Sequence, residues 1–194
     1  VQDCGIEVAI VVGGGNICRG RDLYKVDRVQ ADWMGMTATL INGLMLKYFL
    51  EKINIKTEIF GGIDVEGVAQ RFAIDKAKSL YNKGYVLILV FGTGNPSFTT
   101  DTAAALRAVE LGAEVIIKGT KVEGIYNCDP MVTKRARFFP HLTYDQAIRK
   151  RLGVMDSAAF SLCADHKIKI HVFNFYKYSL PEVIRNPTIG TIVS

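Results

Sequence analysis

Most of the residues that build metal cages and disulfide frameworks are scarce in this chain. Its four cysteines, Cys4, Cys18, Cys128 and Cys163, lie far apart, with no CxxC pair and no Cys/His ligand spacing. A zinc site and a disulfide framework are therefore not expected, and reduced thiols are. The three histidines, His141, His166 and His171, stand alone and support no assignment. Long apolar runs are missing too. The most apolar helical stretch, Met34–Leu50, contains Asn42 and Lys47 and is too short to span a bilayer comfortably. Blocks of like charge are also absent. The net charge of +5 is spread along the chain, which argues against a nucleic-acid tail and suits a small phosphorylated ligand. With no repeat, low-complexity segment or secretory leader in view, the expectation is a cytoplasmic protein that engages neither nucleic acid nor membrane.

What is present is ordinary globular material in a regular order. The 194 residues are 49% hydrophobic and 22% charged, enough for one domain with a real core. Strand patterns at Ile6–Val12, Lys56–Phe60, Tyr85–Phe91, Glu114–Lys118, Ile168–Asn174 and the terminal GTIVS alternate with helical patterns. The helical patterns fall at Gln30–Lys52, up to Asn82, at Thr100–Leu111, Tyr144–Lys150 and Met155–Ala164, and after Ser179. Asn127–Thr143 reads as a long surface loop. The continuously apolar YVLILVF is the pattern of a strand covered on both faces. Alternating strands and helices predict βαβ units, a mostly parallel sheet between helix layers, and ligands beyond the carboxyl ends of the strands.

Three polar motifs fall at such ends. GGGNICRG (Gly13–Gly20) lets the backbone approach a ligand closely and points amides at an anion, with Arg19 positioned for a charge-assisted contact. It is neither a GxGxxG fingerprint, because Cys18 occupies the third glycine's place, nor a Walker loop, because no GK[ST] follows. A glycine-rich turn is more often only a tight turn, and the nearby arginine tips this one toward phosphate. In GTGNPSFTTDTAAALR (Gly92–Arg107), Thr99, Thr100 and Asp101 offer N-cap oxygens to a helix whose start favours anions. Asp101 is read equally well as a capping acid or as an acid beside a phosphate site that holds a lysine or a magnesium ion. In KGTKVEGIYNCDP (Lys118–Pro130), Lys118 and Lys121 could neutralise a transferred phosphoryl group, and Tyr126 could stack on a base or merely pack. Asp32 is either a helix-start charge or an acceptor for ligand hydroxyls, and Asp156 reads first as a cap. The helix bearing Gly35, Ala38 and Gly43 is apolar nearly all round, which predicts a buried helix or a subunit interface.

Taken together, GGGNICRG, DRVQADWMGMTAT, GTGNPSFTTDTAAALRAVE, KGTKVEGIYNCDP, HLTYDQ, VMDSAAFSLC and GTIVS resemble, in order, the bacterial UMP kinases of the amino-acid-kinase family. The resemblance implies a three-layer αβα sandwich forming a single domain over residues 1–194. It implies transfer of the ATP γ-phosphoryl group to UMP with Mg2+, and a homohexamer built from dimers and tuned by nucleotide effectors. Carried over by motif, Gly14, Arg19 and Thr100 would hold the UMP phosphate, Asp32 the ribose hydroxyls, and Thr93 and Asn95 the uracil. Gly15, Thr120, Tyr126 and Asp129 would line the ATP site. Asp101, Lys118 and Arg19 would be the catalytic charges, with Asp156 nearby. No metal ligands are assigned by the motifs themselves.

The family also has an N-terminal strand and K-x-S-G turn whose lysine neutralises phosphates. This sequence does not contain that segment, so the expectation is an N-terminally incomplete chain. Two competing readings follow: an acylphosphate-forming kinase of the same fold, of the carbamate or N-acetylglutamate type, and a non-catalytic uridine-nucleotide sensor. The first is disfavoured because GTGNP and ADWMGM supply base and ribose partners that an amino-acid or carbamate kinase has no use for.

Overall fold

A computed structural model of the chain describes residues 5–194, with the Arg21 side chain left aside. Val1 and Cys4 lie outside the described residues. The chain divides into two compact units, one ending at Ala104 and the other spanning Ala105–Ser194.

The first unit contains β1 (Ala9–Val11), a 3-10 turn (Gly20–Asp22), α1 (Arg28–Lys52), β2 (Thr57–Gly61), β3 (Gln70–Arg71), α2 (Ile74–Tyr81) and β4 (Val86–Val90). It ends within α3 (Thr100–Leu111), which carries the boundary between the units. The four strands lie in the order β1-β4-β2-β3 and every pairing is parallel. All five residues of β4 are buried. Alternate residues point to opposite faces, so complete burial means that both faces of this strand are covered, as its unbroken apolar run predicts.

α1 starts two residues before the expected Gln30 because Asp27 caps it, its carboxylate accepting from Val29 N at 2.9 Å and Gln30 N at 3.4 Å. Its buried residues are Ala31, Met36, Ala38, Thr39 and Gly43. A Cβ at Gly43 would come within 2.5 Å of Val90 Cγ1, so glycine is what lets the helix backbone settle onto β4. Met34, Ile41, Met45, Tyr48 and Phe49 stay exposed.

The second unit continues with β5 (Val115–Thr120), β6 (Ile125–Tyr126), β7 (Phe138–Phe139), β8 (His141–Leu142), α4 (Tyr144–Arg149), α5 (Ser157–Asp165), β9 (Lys169–Asn174), α6 (Leu180–Arg185) and β10 (Thr191–Val193). Its sheet runs β5-β9-β10-β8, parallel except for β9 against β10, while β6 and β7 pair as a separate antiparallel ribbon. The stretch expected to be a loop therefore holds β7 and β8. Two-residue strands have no periodicity to read, and only their tertiary partners make them strands. α4 opens on a complete capping box between Thr143 and Gln146, and α6 on one between Ser179 and Glu182.

Phe160, Ile170, Val172, Leu142 and Val193 centre the core of this unit. Cys163 lies in the same cluster, and burial pushes its thiol up to about 11, so it is protonated and unreactive at neutral pH. Cys18 is half-buried and Cys128 exposed, both as free thiols. Phe160 is 1% exposed, so Phe160→Ala is expected to cost about 3–5 kcal/mol through lost transfer energy and an unfilled cavity. A urea unfolding midpoint within error of the unsubstituted protein would contradict that placement.

Candidate active site

In the first unit, the glycine turn after β1 is seated directly on α1. A Cβ at Gly14 would lie 2.5 Å from the Gly35 carbonyl oxygen and 2.9 Å from Ala38 Cβ. Gly14 is thus required by a close approach to the Gly35 backbone and the small Ala38 side chain that a side chain at position 14 would prevent. Gly14 O accepts from Ile17 N and Cys18 N, both at 3.0 Å, which curls the turn. Arg19 folds back over it, its Nε and Nη2 each 3.0 Å from where a Gly15 Cβ would stand. Arg19, Gly14 and Gly15 are therefore brought together, with a guanidinium beside an open backbone turn.

Asn42, which the sequence shows only as a polar break in an apolar helix, anchors this turn. Its Nδ2 donates to Gly13 O at 2.7 Å, and its amide pairs with that of Asn16 in both directions, at 2.7 and 3.2 Å.

Thr39 is a second residue that sequence reasoning passed over. Buried on α1, its hydroxyl donates to Met36 O at 2.6 Å and accepts from Phe91 N at 2.7 Å. Phe91 has φ +57°, a left-handed conformation that costs a non-glycine residue energy and needs such an anchor. This is the point where β4 bends into GTGNPS. One turn later Gly94, at φ +82°, touches Gly62, where an added Cβ would meet the Gly62 oxygen at 2.4 Å.

Asp32 ties the two motifs together. Its Oδ2 accepts from Ser97 N at 2.9 Å, and Arg28 Nε reaches the carboxylate at 3.0 Å. Ser97 sits at φ +72°, so the acid holds a strained turn in place. Thr93 and Asn95 engage each other within that turn, Asn95 N donating to Thr93 Oγ1 at 3.2 Å. At the start of α3, capping is performed by Thr99, whose Oγ1 accepts from Asp101 N at 3.1 Å and Thr102 N at 3.2 Å. Thr100 and Asp101 instead stand in the first helical turn, where the sequence had all three sharing the cap.

In the second unit, Lys118 is half-buried on β5 and its Nζ donates to the Val154 carbonyl. Thr120 Oγ1 donates to Val122 O at 2.7 Å, closing the turn after β5. Tyr126 on β6 packs against Phe138 with ring centroids 5.4 Å apart. Asp129 shapes the turn beyond it, Oδ1 accepting from Met131 N at 2.8 Å. Asp156 caps α5 through Ala159 N at 2.8 Å, in line with its reading as a cap. Lys118, Thr120, Tyr126 and Asp129 are thus spread along the end of β5 and the segment that follows it.

Replacing Thr39 by the isosteric valine removes the acceptor for the buried Phe91 amide while keeping the packing. A loss of about 1–3 kcal/mol is expected, together with faster hydrogen exchange across residues 91–97. Unchanged stability and exchange would mean that the Thr39 hydroxyl does not hold this turn.

Residues 1–174 match the model of the Amino acid kinase family. Among solved structures, UMP kinase from Bacillus anthracis is 35% identical with a TM-score of 0.93, over 99% of this chain and 81% of that one. UMP kinase from Ureaplasma parvum is 37% identical with a TM-score of 0.91, over 100% of this chain and 84% of that one. Uridylate kinase from Archaeoglobus fulgidus is more distant, 25% identical with a TM-score of 0.72, over 98% and 86% of the two chains. On both the family match and these likenesses, the chain belongs to the amino acid kinase family.

Proposed function

We propose that this protein transfers the γ-phosphoryl group of ATP to UMP, giving UDP and ADP. The observation that carries the reading is the Asp32–Ser97 hydrogen bond of 2.9 Å, which joins the ADWMGM helix to the GTGNPS turn. It does so in a chain whose fold coincides with that of solved UMP kinases over its whole length. A nucleoside monophosphate needs partners for phosphate, sugar and base within reach of one another, and this bond keeps the segments that offer them together.

In this reading Gly14, Arg19 and Thr100 hold the UMP phosphate through turn amides, a guanidinium and a hydroxyl near the start of α3. Asp32 accepts from the ribose hydroxyls, and Thr93 and Asn95 face the uracil with the donor and acceptor groups they now share with each other. Gly15, Thr120, Tyr126 and Asp129 serve ATP. Phosphoryl transfer asks the protein mainly for positioning and for cancellation of charge on the moving oxygens. Asp101, Lys118 and Arg19 are assigned that electrostatic work, and residues 1–194 are taken as one functional domain.

Nucleotide kinases generally use a divalent metal, and Mg2+ is proposed here. Among the described residues no group of three or more His, Cys, Asp or Glu could hold a metal ion. The ion would be carried in on nucleotide phosphates and steadied by one or two carboxylates, of which Asp101 would be one. When bound, Mg2+ would neutralise charge on the bridging and terminal phosphate oxygens.

The exposed apolar side of α1 supports a homo-oligomer, proposed as a homohexamer built from dimers and open to nucleotide effectors. A cytoplasmic location is proposed with it. Among the described residues, no helix is long and apolar enough to cross a membrane.

A coupled ADP-release assay with UMP, CMP, N-acetylglutamate and aspartate checks the activity. UMP is expected to be turned over fastest, and equal rates with the four acceptors would end the reading. Asp101→Asn is expected to lower kcat by about two orders of magnitude with the fold intact, and an unimpaired kcat would remove Asp101 from catalysis. Tyr48→Glu, on the exposed side of α1, is expected to reduce the mass seen by light scattering; an unchanged mass would place any subunit contact elsewhere.

A further inference from the structure

The positive charge of this chain is less evenly spread than its scattered lysines and arginines suggest. Between Met131 and Arg151 stand six basic residues, Lys134, Arg135, Arg137, Arg149, Lys150 and Arg151, and a single acid, Asp145. That excess equals the net charge of the whole chain, +5, so the charges outside the segment balance. All six basic residues are exposed. Among the described residues only Arg149 has an acidic partner, and its contact with Asp145 is long, 3.8 Å, between side chains 83% and 81% exposed. Water screens such a pair almost completely. Asp129, just ahead of the segment, has its carboxylate turned to the Met131 amide at 2.8 Å.

The fold joins the two ends of this segment. Half-buried Phe139 on β7 has the Arg137 guanidinium carbon 6.0 Å from its ring centroid and Lys150 Nζ also at 6.0 Å. Lys134 and Arg135 lead into Arg137, while Arg149 and Arg151 adjoin Lys150, so KRAR and RKR meet around one ring. The backbone beneath them is ordered. Arg137 N donates to Asn127 Oδ1 at 2.7 Å, and Asn127 N returns a bond to Arg137 O at 3.1 Å. Ala136 N closes a turn on Thr133 O at 3.0 Å, and Lys150 N donates to Gln146 O at 3.1 Å where α4 ends.

Cations set on an ordered backbone and rich in arginine match an anion whose charges repeat along a chain. A guanidinium grips phosphate oxygens as a bidentate fork. A run of phosphates can meet several such groups at once and release its counterions. An anionic lipid surface is served as well by an unordered basic tail, and a second copy of this chain has no matching excess of acid to offer. We propose that the surface formed by Lys134–Arg137 and Arg149–Arg151 binds the phosphate backbone of single-stranded nucleic acid without reading its sequence. Such binding departs from the expectation drawn from scattered charge, and it does not depend on the kinase reaction.

The probe is a fluorescently labelled oligocytidylate of about 20 nucleotides, whose anisotropy is followed as protein is added between about 50 and 200 mM salt. Binding is expected at low salt and should weaken as salt rises, log Kd against log salt having a slope of about 0.7 per phosphate contacted. Arg135→Gln with Arg137→Gln and Lys150→Gln is expected to raise Kd about tenfold or more and to lower that slope by about 2. Lys78→Gln with Lys83→Gln and Lys167→Gln removes the same charge from exposed positions elsewhere and should leave the slope unchanged. Arg135→Gln alone, at a side chain with no partner among the described residues, should lower it by about 0.7, which decides the matter if the triple variant fails to fold. No binding at the lowest salt overturns the proposal, as does an unchanged slope in the Arg135 variants. Equal weakening by both triple variants also overturns it, because net charge alone would then be responsible. Displacement of the probe by poly-L-glutamate at equal charge would point to an acidic protein partner, and displacement by UTP to a small-anion site. Tighter binding to phosphatidylserine vesicles than to the probe would point to a membrane. Each of these three results overturns the proposal. Failure to phosphorylate UMP would defeat the kinase reading without altering any of these outcomes.

Discussion

The first unit depends on how closely the α1 backbone approaches the strand ends it covers. Gly14 against Gly35 and Ala38, and Gly43 against Val90, are contacts in which one added methyl group would collide with its neighbour. Once the helix lies this close, polar groups on it come within hydrogen-bond reach of the turns: Asn42 of the first, Thr39 and Asp32 of the second. Gly14 in the turn and the small residues it meets on the helix are therefore two halves of one steric condition. The left-handed residues Phe91 and Ser97 follow from it, since each has its amide held by an α1 side chain.

That arrangement suits a site for phosphorylated ligands. Turns whose amides are to meet an anion must be stiff before the anion arrives, or binding spends its energy on ordering them. The carboxylate of Asp32 and the hydroxyl of Thr39 provide that stiffness from a long, well-capped helix. In the second unit the corresponding order comes from the turn after β5, which Thr120 closes and Asn174 ties to the segment following β9. Each unit therefore fixes its strand-end turns with side chains drawn from a neighbouring regular element.

Much of this was legible beforehand, for identifiable reasons. β4 reads as a strand covered on both faces because it is apolar without interruption, and the structure buries every one of its residues. α4 and α6 fall in the helical patterns read at Tyr144–Lys150 and after Ser179, and α3 is announced by the threonines and acid at its start. What could not be read were features without a local signature. β3, β7 and β8 are two residues long, and only pairing with distant partners defines them. Thr39 and Asn42 look like minor polar breaks in an apolar helix until the turns they bond are in place. Which of Thr99, Thr100 and Asp101 caps α3 depends on backbone angles that three similar oxygens leave undecided.

By itself, then, the sequence determined the alternation of strands and helices, the parallel pairing that such alternation forces, and the placing of glycine-rich motifs at strand ends. These follow from hydrophobic period and backbone sterics, which act over a few residues. Only the tertiary structure decided which side chains hold those motifs in shape. It joined Asp32 to Ser97 across 65 positions and Thr39 to Phe91 across 52. It also showed that α1 sets Gly43 against the sheet while Met34, Ile41, Met45, Tyr48 and Phe49 stay exposed. Such pairings are set by the packing of one element on another, and an apolar pattern nearly uniform around the helix cannot say which side will face inward.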